Sequence, residues 1–244
     1  MISIIIPTLN EARNLPRLLR ALQGETLAHE VLVVDAYSLD GTAAQARDLG
    51  ARVVMSDPGR GRQIHEGARH ARGGILLFLH ADSVFPRGGL AAVDRALAAR
   101  PDAPGGNFRL LFDGDDRFSR WLEGFYAWIR ARGVYYGDSG IFVRRDVYQD
   151  LGGIRPMALM EDYDFVRRLE RAGETLCIGE APLTTSSRRF RGRRPAMIVI
   201  GWLWIHALFL LGVPPDRLAR LYDSERRRGA APQDRESLRP QSYS

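Results

Sequence analysis

The chain of 244 residues contains no lysine: all 35 of its basic residues are arginine. It has a single cysteine, Cys177. One thiol excludes an intrachain disulfide and a cysteine-cluster zinc site, and it points to a reducing, cytoplasmic setting. The N-terminus lacks a basic segment and a small-residue cleavage site, so it does not read as a secretory leader. No Gly-x-Gly-x-x-Gly follows the first apolar run and no phosphate-binding Walker loop is present. These absences argue against dinucleotide oxidoreductases and P-loop NTPases. The loop after that first run has no glycine at all. A nucleotidyltransferase would need a glycine-rich segment there to wrap a triphosphate.

What is present has a globular balance, 45% hydrophobic and 26% charged, which excludes a fully disordered chain. The length suits one large α/β domain with additions, or two small ones, with a core that needs no metal or disulfide staple. The net charge is +6, and without the five arginines of residues 188–194 it falls to +1. The basicity is therefore local and makes no case for nucleic acid. A focused arginine cluster suits phosphate, on a nucleotide or on a lipid head group.

Along residues 1–100, short apolar runs alternate with helical patterns. Strands are expected at 2–6, 31–34, 52–55 and 75–79, and helices at 12–23, 40–49, 62–72 and 89–100. Asp40 reads as the N-cap of its helix and Asn10 as another. Strands that are apolar throughout, separated by helices, predict a parallel sheet covered on both faces. Beyond residue 100 the pattern predicts strands at 106–112 and 140–144, an aromatic-rich helix at 118–131, a helix at 160–172 and an extended segment at 175–178. Residues 196–213 hold no charged side chain and lie between arginine clusters. At ~27 Å such a helix falls slightly short of a ~30 Å hydrocarbon core. The reading is a peripheral helix on an anionic membrane surface, or one buried against the core or a second subunit. Residues 229–244 read as a disordered tail.

Ligands of parallel α/β sheets bind beyond the carboxyl ends of the strands. The four expected strands are followed by Pro7-Thr8-Leu9-Asn10-Glu11, by Asp35 with Ser38 and Asp40, by Gly59-Arg60-Gly61-Arg62-Gln63, and by His80-Ala81-Asp82. Polar and ionisable groups thus converge on one rim. A carboxylate there suits a hard divalent cation that bridges diphosphate oxygens. Glu161 and Asp162 open a helix about 100° apart, so one can serve as general base while the other braces it. Three other motifs are set aside. His65 and His70 lie five positions apart, about 140° around a helix, and cannot share a metal. Asp113, Asp115 and Asp116 fit a turn. Trp202 and Trp204 fit apolar anchors.

The ordered motifs Ile-Ile-Pro-Thr-Leu-Asn-Glu, Val-Val-Asp-x-x-Ser-x-Asp-Gly-Thr, Phe-Leu-His-Ala-Asp and Met-Glu-Asp resemble glycosyltransferase family 2. The segments 59–63, 136–145 and 187–190 resemble a bacterial branch labelled radical-SAM/selenodomain-associated or arsenosugar-cluster glycosyltransferases. The resemblance spans about residues 1–225. It implies an α/β fold of the glycosyltransferase A type, a Rossmann-like, mostly parallel sheet flanked by helices, with a C-terminal helical extension. The implied organisation is a catalytic domain over 1–187, with a nucleotide half (1–100) and an acceptor half (101–187). An arginine-rich loop with C-terminal helices would follow over 188–228.

The resemblance further implies an inverting, metal-assisted transfer from a nucleotide-sugar donor, UDP-sugar favoured, to a hydroxyl acceptor that could be lipid-linked. Pro7, Thr8, Asn10, Glu11, Asp35, Arg62 and Ala81 would bind the donor. Asp82, with His80, would hold Mg²⁺ or Mn²⁺. Gly137 and Asp138 would border sugar and acceptor. Asp162 would be the base, with Glu161 its neighbour, and Arg188 and Arg189 would close over the diphosphate. The sequence departs from the family at His80, where a second metal-binding acid is usual, and at Ala36-Tyr37 and His65-Glu66. Two other readings stay open: a degenerate, non-catalytic nucleotide- or membrane-binding homologue, and a sugar nucleotidyltransferase. The expected location is the cytoplasm, including the inner face of its membrane.

Overall fold

The computed structural model describes residues 1–185 and 195–229. Among the described residues two compact units are distinguished, residues 1–156 with 161–185, and residues 157–160 with 195–229. Strands β1 (Ile2–Thr8), β2 (His29–Asp35), β3 (Arg52–Met55) and β4 (Ile75–Phe78) alternate with helices α1 (Leu15–Gln23), α2 (Thr42–Asp48), α3 (Arg60–His70) and α4 (Gly89–Ala99). There follow β5 (Gly105–Phe112), α5 (Arg117–Arg130), a 3-10 turn at Gly137–Ser139, β6 (Ile141–Arg144), α6 (Arg145–Asp150), α7 (Glu161–Ala172) and β7 (Leu176–Thr185).

The seven strands form one sheet in the order β3-β2-β1-β4-β6-β5-β7. β1 pairs in parallel with β2 and β4, and β2 with β3. β6 runs antiparallel to both β4 and β5, whereas β5 and β7 are parallel. The sheet is thus mostly parallel, as the apolar strands predict. The chain steps outward from β1 to β3 and then restarts on the other side of β1 with β4. That reversal opens a crevice at the carboxyl ends of β1 and β4, the place where such sheets take ligands.

Both faces of β1 are buried. Ile2, Ile4 and Ile6 pack against Leu15, Leu18, Leu19 and Leu22 of α1 and against Leu90, Val93 and Leu97 of α4. Ile5 faces the other way, with Ile64 of α3 and Phe165, Val166 and Leu169 of α7. Gly67 fits α3 to this face, because a Cβ there would lie 2.5 Å from Ile5 Cγ2. At the amino end, Glu30 accepts hydrogen bonds from Ser3 Oγ (2.6 Å) and the Arg72 amide (2.5 Å), tying β1, β2 and the turn before β4.

Several expected boundaries move. α2 begins at Thr42, with Gly41 as its N-cap in the left-handed region. Asp40 is therefore not the cap; it accepts from the Thr42 amide and from Ala12 N–H. Asn10 caps no helix either. It sits at φ 55° and accepts from the Leu39 amide, so it pins the loop after β1 to the loop after β2. β7 extends well past residue 178, because it finds β5 as a parallel partner across a register shift. Asp116 closes its turn by capping α5, accepting from the Phe118 and Ser119 amides.

The second unit contains α8 (Pro195–Leu210) and α9 (Pro215–Gly229). At 16 residues α8 measures about 24 Å. Among the described residues no helix is long and apolar enough to cross a membrane. Ile200, Leu203, Trp204 and Leu210 are exposed on α8. Of the tail expected over 229–244, Gly229 belongs to α9, and residues 230–244 and the arginine cluster 188–194 lie outside the described residues.

Candidate active site

The site is built at the carboxyl ends of β1, β2 and β4, with the first turns of α3 and α7 closing on it. Asp35, at the end of β2, is fully buried. Its carboxylate accepts from Thr8 Oγ1 (2.9 Å), Ser38 Oγ (2.6 Å) and the Ser38 amide (2.8 Å). Ser38 Oγ in turn accepts from the Asn10 amide, and Thr42 Oγ1 accepts from the Glu11 amide. Thr8, Asn10, Glu11 and Asp35 therefore form one hydrogen-bonded rim joining the first two strand ends. Pro7, in β1, pairs with Val34.

The segment 59–63 has a separate task for each residue. Gly59 takes φ 133°, which a side chain would strain. Arg60 donates to the Glu161 carboxylate and lies 3.6 Å from Asp162 Oδ2. Gly61 lets α7 approach: a Cβ there would stand 2.6 Å from the Arg155 carbonyl oxygen and 3.1 Å from Glu161 Cγ. Arg62 turns outward, with 55% of its side chain exposed, and pairs with Asp57 at 3.1 Å. Gln63 is buried and donates to the Thr8 and Val34 carbonyls, fastening β1 to β2.

Arg60 is thus the inward arginine, and Arg62, the residue expected to hold a nucleotide, is not brought into this cluster. The signal that could have separated them is the pair of flanking glycines. Gly59 and Gly61 mark a tight turn and a close approach, and the side chain between them is the one aimed inward.

Glu161 and Asp162 are both buried. Burial pushes the Glu161 carboxyl up from its ordinary value, against the pull of Arg60, and the neighbouring charge of Asp162 adds to the rise. Burial disfavours the charge on Arg60, but Asp162 and Glu161 outweigh it and hold the guanidinium charged. Asp162 Oδ2 accepts from the Gly137 amide at 2.8 Å, and Oδ1 from the Tyr163 amide at 2.8 Å. Met160, immediately before this pair, sits at φ 66°, an uncommon conformation for an unbranched side chain.

Gly137 links the carboxylates to the end of β4. A Cβ on Gly137 would lie 3.2 Å from both Asp162 Oδ2 and His80 Nε2. His80 and Asp162 therefore flank the same backbone atom. Asp138 is buried beside them, and its Oδ2 accepts from Tyr126 Oη at 3.1 Å. Burial first, and then the charge of Asp162, push the Tyr136 hydroxyl well above its ordinary range, so it stays protonated. Nothing in the periodicity of α5 or α3 marks Tyr126 or Arg60 as facing this turn, and Tyr136 lies in a loop that has no period at all.

Ala81 is buried and Asp82 half-buried in the loop after β4. Among the described residues no group of three or more His, Cys, Asp or Glu side chains is gathered to hold a metal ion. In the loop after β4 the candidate donors are the Asp82 carboxylate and the His80 imidazole. That set fits a hard cation completed by substrate phosphate oxygens and water. Arg188 and Arg189 lie outside the described residues.

The model for Glycosyl transferase family 2 matches residues 3–149. Glycosyltransferase AglE of Haloferax volcanii is 28% identical over 192 residues, 72% of this chain and 63% of that protein. The 4,4'-diaponeurosporenoate glycosyltransferase of Staphylococcus haemolyticus is 38% identical over 89 residues, 33% of this chain and 24% of that protein. The chain thus spans less than two thirds of the length of these curated relatives. Among solved structures, mannosyltransferase PcManGT from Pyrobaculum calidifontis, in complex with GDP-Man and Mn²⁺, superposes with a TM-score of 0.65 at 18% identity, over 97% of this chain and 72% of that one. Glucosyl-3-phosphoglycerate synthase from Mycobacterium tuberculosis, with Mn²⁺, UDP-Glc and phosphoglyceric acid, gives 0.58 at 18% identity, over 88% and 80%. These likenesses establish the fold, the glycosyltransferase A type expected from the sequence.

Proposed function

The chain belongs to glycosyl transferase family 2, and on that premise we propose that it transfers a sugar from a nucleotide-diphosphate donor to a hydroxyl acceptor with inversion. The observation that carries this reading is the buried carboxylate of Asp162, held by the Gly137 amide opposite His80 at the strand-end crevice. The base and ribose bind along the rim of Pro7, Thr8, Asn10, Glu11 and Asp35. The bacterial branch named above rests on the resemblance of segments 59–63, 136–145 and 187–190.

Asp162 is the general base. Its carboxylate has lone pairs beyond those taken by the two amides, so it can accept a proton from an acceptor hydroxyl. The hydroxyl oxygen bonds to the anomeric carbon, its proton passes to Asp162, and the bond to the diphosphate breaks with its electron pair on the leaving group. Arg60 and Glu161 brace Asp162 in place, and Gly137 and Asp138 border the sugar and acceptor. Asp82, with His80, holds Mg²⁺ or Mn²⁺, which when bound neutralises charge on the diphosphate. Arg188 and Arg189 add positive charge to the same group.

UDP-sugar is the favoured donor. The exposed apolar side chains of α8 support attachment to an anionic membrane surface from the cytoplasmic side, with a lipid-linked acceptor. A melting-temperature screen of UDP, GDP, TDP and CDP with Mn²⁺, followed by assay of nucleoside diphosphate release from the matching nucleotide sugar, tests the reading. Stabilisation by one nucleoside diphosphate and turnover of its sugar support it. Neither effect with any of the four overturns it.

A further inference from the structure

The outer face of α5 is unlike the rest of the surface. Trp121 is 48% exposed and Trp128 54% exposed. With Phe125 between them they form a ladder, the rings stacking at centroid distances of 5.3 and 6.2 Å. Arg132 lies 3.8 Å over the Trp128 ring, and Arg117 and Arg120 are exposed on the same face. The helix's one acid, Glu123, is turned away and accepts from the Phe112 amide. Tryptophan and arginine without acid is the composition of a protein–protein hot spot.

Gly124 lies at the middle of that face. A Cβ there would meet nothing within 4 Å among the described residues, and its φ is not positive. Among the described residues, neither packing nor backbone conformation accounts for a residue that is the poorest helix former after proline. A close approach from outside the chain does account for it.

The charges around Gly124 are arranged to match themselves. Arg132 lies about 12 Å beyond Gly124 and the acidic turn ending at Asp116 about 12 Å before it. Arg120 and Trp128 stand four residues to either side. We infer that two copies of this chain associate through α5, antiparallel about a two-fold axis at Gly124. In that arrangement Arg132 of each copy leaves its own Trp128 ring for the turn holding Asp115 of the other, and the vacated face takes the other copy's Arg120 in a cation–π pair. The exposed Arg120–Asp115 pair, at 3.3 Å, is released at little cost. The inference goes beyond the transfer reading and does not rest on it.

Sedimentation velocity on the full chain, over a wide concentration range, reads the association. The wild type is expected to shift from monomer to dimer. Gly124→Leu places its Cβ in open space among the described residues and improves helix propensity, and it is expected to weaken the dimer at least tenfold. Asp115→Arg is expected to weaken it too, and adding Arg132→Asp in the same chain to restore it. A protein that stays monomeric at every concentration overturns the inference. So does a dimer indifferent to Gly124→Leu, or a monomer that instead floats with anionic vesicles and loses that binding on Trp121→Ser. Donor turnover measured alongside keeps the two readings apart: a failed dimer leaves turnover in place, and a failed transfer reading appears as a pairing protein without turnover.

Discussion

Arg60 and Glu161, 101 residues apart in the chain, form an ion pair that locks the first turn of α3 to the first turn of α7. Gly61 makes the approach possible and Asp162 shares the cation. Removing Arg60 leaves two buried carboxylates without their counter-charge. Breaking a fully buried pair costs about 3–5 kcal/mol, and partial exposure of Arg60 places the expected loss for Arg60→Met nearer 2 kcal/mol. Chemical denaturation at neutral pH checks this. Arg60→Met combined with Glu161→Met should recover part of the loss, because one uncompensated charge is gone.

The pH dependence of stability should carry opposite signs at two glutamates. Burial raises the Glu161 carboxyl pKa in the folded state. Its contribution is fully present below the unfolded value of about 4.3 and is lost as pH rises through the folded value. Wild type should therefore lose ground to Glu161→Gln as pH rises. At Glu30 burial acts upward, but hydrogen bonds from Ser3 and from the Arg72 and Gly73 amides outweigh it and lower the pKa. Its contribution is present above the unfolded value and disappears as pH falls through the folded one. The advantage of wild type over Glu30→Gln should vanish in acid. Melting curves of the three proteins across pH 3 to 8 read both signs.

Gly137→Ala should separate binding from chemistry. The added methyl would stand 3.2 Å from both His80 Nε2 and Asp162 Oδ2, so one of them must give way. Nucleoside diphosphate affinity is expected to hold within about threefold, while turnover falls by about 10² or more, as expected when a general base is displaced. Titration of the nucleotide and the steady-state rate, measured on one preparation, check the split.

Asp82→Ala should abolish the Mn²⁺-dependent part of nucleotide stabilisation without changing the ligand-free melting temperature. A ligand at a hundredfold excess over its dissociation constant adds about 2.7 kcal/mol, a shift readily seen in a melting curve. His80→Ala should remove less of it. Equal Mn²⁺-dependent shifts in wild type and Asp82→Ala would remove Asp82 from the site.

Much of this architecture is legible in the sequence because β1, β2 and β4 carry apolar runs buried on both faces, as a covered parallel sheet requires. The Glu161–Asp162 pair is legible because two acids open an amphipathic helix. The inward turn of Arg60 is not. It depends on Gly59 at φ 133° and on a helix that approaches from 100 residues away, neither of which leaves a period. α6 is hidden for a similar reason: it is six residues long, mostly polar, and buries only Tyr148. Asp40 suits a helix start by residue type alone, but its carboxylate is claimed by the Ala12 amide, 28 residues away, and by the Thr42 amide within its own loop.

The central claim is that Asp162 takes the acceptor's proton. Asp162→Asn keeps the size and, with its amide oxygen turned to the Gly137 N–H, that hydrogen bond; it gives up the one from the Tyr163 amide and cannot serve as base. Its transfer rate, measured under donor saturation alongside nucleotide affinity, should fall by 10² or more with affinity unchanged. Retained turnover in Asp162→Asn, together with an inactive Glu161→Gln, would contradict the account and move the base to Glu161.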